Sequence, residues 1–141
     1  MKKFAFELQK ILEFREFEKK EAEGELAKAL AVENDINSKL EQIALQYTAV
    51  KDLTKGSHDF NEIVGRSRHL NFLDLQKEEL LKQLAQAKLV TEQKREVLRE
   101  CMKKTTALEK LRDKQLEEWK QAAEYEEAEL LDEVKNKTRQ F

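Results

Sequence analysis

A chain of 141 residues is ordinarily one compact domain, but 40% of these residues are charged, Pro is absent and Gly occurs three times. Turn-rich α/β and all-β folds draw on Gly, Pro and Asn for their backbone angles, so this composition argues against them. A formal net charge of −2 with both signs interspersed leaves no basic face broad enough to neutralise a run of phosphates, which sets nucleic acid aside as a main partner.

Ala, Glu, Lys, Leu and Gln dominate, the residues of long helices and coiled coils. From Ala5 the apolar positions recur in alternating steps of three and four: Ala5, Leu8, Leu12, Ala22, Leu26, Ala29, Ile36, Leu40, Ile43, Tyr47 and Val50. A period of about 3.5 residues is the seam of a coiled coil. Arg15 and Lys19 interrupt it. They are either tolerated in a partly exposed two-helix seam or presented to another protein.

The stripe stops at "TKGSHDFNE". Gly56 suits the left-handed conformation that ends a helix, Ser57 or Asp59 can cap the next one, and Glu62 completes a capping box with Asp59. A second arm follows with the same step pattern: Ile63, Leu70, Leu73, Leu80, Leu84, Ala87, Thr91, Leu98, Cys101, Thr105 and Leu108. The expected fold is therefore all-α: a long antiparallel two-helix coiled-coil hairpin with the C-terminal helix overhanging. It forms a single domain over 1–141, with helices over about 3–54 and 59–138 and a turn near 55–58.

If the turn is centred near Gly56, facing residues have numbers summing to about 113. That register pairs Leu26 with Ala87, Leu12 with Cys101, Arg15 with Leu98 and Lys19 with Lys94. It also sets Arg66 beside Tyr47 and Glu33 close to Lys77. The first arm has roughly 50 residues and the second roughly 80, so the overhang is about 45 Å long. It carries Leu111, Leu116, Trp119, Ala123, Leu130 and Leu131, with nothing left in the chain to cover it. The overhang is a candidate site for a partner or for self-association. Its "EYEEAELLDE" run holds six acids and no base, either a solvated face or one that meets a basic surface.

Chemistry is hard to find. His58 and His69 lack the company and spacing of a zinc site, no Gly-rich phosphate loop occurs, and no nucleophile has a plausible base. A two-helix structure also cannot enclose a water-excluding pocket. The sequence reads as no enzyme, with no cofactor and no metal. One cysteine, Cys101, fits a reducing compartment, no apolar run could span a bilayer, and the N-terminus lacks a secretion signal, so a cytosolic location is expected.

The opening "FAFELQKILEFREFEKKEAEGELAKAL" resembles that of the FliJ family of flagellar export proteins, in which an aromatic, a Leu and a further apolar pair precede an Arg and an acid-rich, Ala-rich helix. Phe4, Phe6, Leu8, Ile11, Leu12, Arg15 and Glu18 occupy those positions. The ending "EAELLDEVKNK", with its acidic Asp132 and Glu133, is similar to that family as well, and the likeness covers essentially the whole chain.

The resemblance implies a component of the flagellar type III export apparatus, similar to the central stalk of rotary ATPases. Such a protein binds the export ATPase hexamer through the end where both termini lie, promotes its assembly and activity, links it to the membrane-embedded export gate, and meets export chaperones. The ATPase-binding candidates are then Phe4, Phe6, Leu8, Ile11, Arg15, Lys19 and Trp119. Gate-binding candidates nearer the turn are Ile43, Tyr47, Phe72 and Gln76. The implied place is cytoplasmic, peripherally associated with the inner membrane at the flagellar base, without direct membrane insertion. Two alternatives remain: a generic structural or scaffold coiled coil, and the stalk of a related virulence secretion system or rotary ATPase.

Overall fold

In the computed structural model, which describes residues 2–56 and 58–139, the chain is an all-α helical hairpin of α1 (Gln9–Leu53) and α2 (Phe60–Arg139). Both helices run unbroken because nothing in them breaks a helix: Pro is absent, and Gly24 and Gly65 are single interruptions among strong helix formers. Lys51 closes α1, and Lys137 and Arg139 close α2, placing positive charge where each helix dipole is negative.

The turn follows the expected chemistry. Thr54 donates its hydroxyl to the Val50 carbonyl at 2.7 Å, and Gly56 takes φ 82°, a conformation that side chains disfavour. Asp59 caps α2: its carboxylate accepts the Asn61 N–H at 3.1 Å, with Glu62 in the first turn. Ser57, the other expected cap, lies outside the described residues.

The chain divides into two compact units, Met1–Glu21 with Arg99–Phe141, and Ala22–Leu98. Within each, a stretch of α1 packs on a stretch of α2. In the unit 22–98, Ala22, Ala29, Ile36 and Ile43 of α1 and Leu73, Ala87 and Thr91 of α2 are buried, with Leu26, Leu40, Tyr47, Leu70, Leu80 and Leu84 half-buried between them. In the other unit Leu12 is fully buried, Thr105 nearly so, and Leu8, Cys101 and Leu108 half-buried. These are the positions marked by the 3.5-residue period. Ile63, at the turn end of the stripe, stays 41% exposed.

The register differs from expectation by about one heptad. In the unit 22–98 the Thr91 hydroxyl lies 2.8 Å from the Glu33 carboxylate, and the Lys94 ammonium 4.0 Å from Glu25. In the other unit the Thr105 hydroxyl lies 3.3 Å from the Arg15 carbonyl. Facing residue numbers thus sum to about 120 rather than 113. Arg15 meets Thr105 in place of Leu98, Lys94 meets Glu25 in place of a like charge, and Glu33 meets Thr91 in place of Lys77. Tyr47 holds the Lys51 ammonium 4.7 Å from its ring centre, where Arg66 was expected. The cause is twofold. A heptad seam matches itself when slid by seven residues, and the connection from Thr54 to Asp59 is longer than a tight turn at Gly56.

The N-terminus also departs from the expected helix. Residues 2–6 are not helical and α1 begins at Gln9, whose N–H bonds the Phe6 carbonyl at 3.1 Å. No Ser, Thr, Asp or Asn precedes Gln9 to cap a helix start. Off the helical period, Phe6 is the buried residue and Ala5 is exposed.

A Cβ at Gly24 would meet nothing within 4 Å, so close helix approach is not what keeps glycine there. Gly24→Ala is expected to stabilise the chain by about 0.5–1 kcal/mol in urea unfolding followed by circular dichroism. The register is checked with paired cysteines in a Cys101→Ser background. Ala29→Cys with Thr91→Cys is expected to form a disulfide readily, whereas Leu26→Cys with Ala87→Cys, offset by about 10 Å along the helices, is not.

Candidate functional site

The residues marked as ATPase-binding candidates all fall in the unit formed by Met1–Glu21 and Arg99–Phe141. Its geometry starts from Trp119, the chain's single tryptophan. The non-helical segment 2–6 meets α2 at Trp119, whose indole N–H donates to the Lys2 carbonyl at 3.1 Å. The Phe4 and Trp119 rings meet with centroids 6.1 Å apart, tilted by 59°, an arrangement that places ring edge toward ring face. Trp119 is therefore half-buried, not the uncovered tryptophan of a lone helix. The N-terminal segment supplies a cover for Trp119, where none was expected to be left in the chain.

The other candidates divide by exposure. Phe6 is buried and Leu8 half-buried. Ile11 is 46% exposed, and Arg15 and Lys19 are half-buried beside it. The Arg15 guanidinium makes an ion pair with Glu18 at 3.0 Å and lies 5.9 Å from the Phe14 ring centre. Phe14 and Phe17, each 56% exposed, extend the row from Ile11 at three-residue steps. Both lie off the 3.5-residue stripe, so seam periodicity does not mark them. Their signal was an aromatic pair outside the core period of a highly charged helix.

The gate-binding candidates fall in the unit Ala22–Leu98. Ile43, Phe72 and Gln76 line one groove of about 510 Å³ together with Gln46, Leu73 and Leu80. Phe72 stands 55% exposed at its edge and Ile43 is buried in its floor. Tyr47 is not in this groove. It lines a second one of about 470 Å³ with Ile43, Leu40, Asp74, Lys77 and Leu81. Both grooves are shallow troughs between two helices, shapes suited to another protein's side chains.

No group of three or more His, Cys, Asp or Glu side chains placed to hold a metal ion occurs among the described residues. Nor is any described helix long and apolar enough to cross a membrane. The surfaces that stand out are exposed aromatic side chains in one unit and grooves of mixed polar and apolar lining in the other. The family model described as the flagellar FliJ protein matches residues 4–139. The chain belongs to the FliJ family. No curated protein and no solved structure matches it.

Membership makes the chain a component of the flagellar export apparatus, and the FliJ family is non-catalytic. The match takes in both units and the turn between α1 and α2, so the exposed aromatic row and the grooves lie within the FliJ region. The contact that this FliJ-family chain makes between its N-terminal segment and Trp119 is open to a direct check. Phe4→Ala is expected to raise the acrylamide quenching of Trp119 fluorescence and to cost about 0.5–1.5 kcal/mol in thermal unfolding, the size of an aromatic pair.

Proposed function

We propose that this chain is a non-enzymatic, stalk-like coiled coil that binds the flagellar export ATPase hexamer, promotes its assembly and activity, and links it to the export gate and to export chaperones. The observation that carries the reading is the surface of Ile11, Phe14 and Phe17 beside Arg15 and Lys19, in a chain of this family. Exposed aromatic side chains next to an Arg are the residue types that dominate binding energy where proteins meet. Phe4 and Trp119 meet in the same unit, in which Phe6 is buried and Leu8 half-buried.

An asymmetric helix pair held by a six-fold ring cannot touch all subunits alike. It therefore binds some subunit conformations better than others, and this differential affinity biases which subunits close around nucleotide. Tying the pair to a membrane-embedded gate through Ile43, Tyr47, Phe72 and Gln76 couples the ring's cycle to export. On this reading the protein works on the cytoplasmic side of the inner membrane at the flagellar base, and it is held there by protein contacts.

The test is titration of the purified chain into the flagellar export ATPase, following ATP turnover and ring formation together. Stimulation by the wild type, reduced about tenfold or more by Phe14→Ala/Phe17→Ala and by Arg15→Glu/Lys19→Glu, is the expected result. No change in either signal with a well-folded sample would redirect the function to a scaffold. In the same material Phe72→Ala is expected to weaken binding to the soluble part of the gate protein while leaving ATPase stimulation intact.

A further inference from the structure

Beyond Trp119, α2 runs on for about five more turns, and from Glu124 to Arg139 every residue is exposed. This stretch is not uniformly polar. Trp119, Ala123, Leu130 and Val134 continue the stripe that packs against α1 earlier in the unit, with Leu131 at its edge. Leu130, Leu131 and Val134 are 58%, 60% and 59% exposed. No described residue of α1 or of the segment 2–6 covers them.

The charges along the same stretch indicate what does. Glu124, Glu126, Glu127, Glu129, Asp132 and Glu133 come first, followed by Lys135, Lys137 and Arg139. Two such segments side by side in parallel would set acid against acid and base against base along their whole length. Laid antiparallel, the basic end of each meets the acidic start of the other. We propose that residues 125–139 form an antiparallel pair with the same residues of a second copy of this chain. Leu130 lies opposite Val134 of the second copy, so Lys137 falls beside Glu127 and Lys135 beside Glu129. Twofold symmetry makes each of these contacts twice. The overlap is only about 22 Å long, so the association is weak and concentration-dependent. It uses none of the residues named as ATPase- or gate-binding candidates, and its test does not depend on them.

Sedimentation equilibrium of the whole chain in a Cys101→Ser background, over roughly 5–500 µM, is expected to show a monomer–dimer equilibrium. Leu130→Glu/Val134→Glu, at positions already exposed in the monomer, is expected to raise the dimer dissociation constant about tenfold or more with no loss of helix by circular dichroism. Lys137→Glu is expected to weaken the dimer about threefold, and adding Glu127→Lys to restore it. Orientation is read from disulfides: Leu130→Cys mixed with Val134→Cys cross-links faster than either variant alone. A monomer at every concentration would overturn the pairing, and it would point instead to a basic partner for this acidic segment. Faster cross-linking of Leu130→Cys to itself than to Val134→Cys would overturn the proposed alignment.

Discussion

Side-chain packing along one stripe per helix holds each unit together, and every other feature of the molecule depends on that stripe. Its period of about 3.5 residues keeps a narrow apolar seam facing the partner helix. Leu12 and Leu73 are its most fully buried large side chains, and Ala22, Ala29 and Ala87 are buried along it as well. A seam so narrow leaves most of each helix to solvent, which explains how a chain that is 40% charged folds. It also accounts for the grooves. Side chains flanking a two-helix seam have no third layer over them, so Phe72, Gln76 and Gln46 stand around open troughs.

Sequence periodicity made the stripe readable almost residue by residue. From Leu8 to Val50 and from Leu70 to Leu108, the marked positions are the buried and half-buried ones. The turn was legible for a different reason, because Gly56 and Asp59 carry local backbone chemistry that does not depend on what packs where. Register was not legible. A repeat of seven scores equally well at two alignments seven residues apart, and what separates them is loop length together with a few polar contacts made by Glu25, Glu33 and the Arg15 carbonyl.

At the candidate ATPase-binding surface the residue types were readable and their roles were not. On a helical wheel Phe4 and Leu8 share a face and Phe6 falls on the opposite one, yet the segment before Gln9 is not helical, and there Phe6 turns inward and Phe4 meets Trp119. That exchange gives up a turn of helix with no capping residue for burial of an aromatic ring and a bond to the indole. Phe14 and Phe17 were invisible to a search for core periodicity for the reason that makes them of interest: they are large apolar side chains the fold does not use.

The hydroxyls of Thr91 and Thr105 give the seam a property that its apolar layers cannot. Each has one proton, shared between a carbonyl four residues back and an acceptor on α1. Displacement of α2 by one heptad would set Thr91 against Ala22 and Thr105 against Leu8, and would leave the Glu33 carboxylate facing Leu80. Offsets between heptads interleave no layers at all. Helix slippage in either unit is therefore a discrete event with a stride of about 10 Å, and the threonines act as its detents, each resisting by about 1 kcal/mol. A ruler with identical marks becomes a ratchet with a preferred notch.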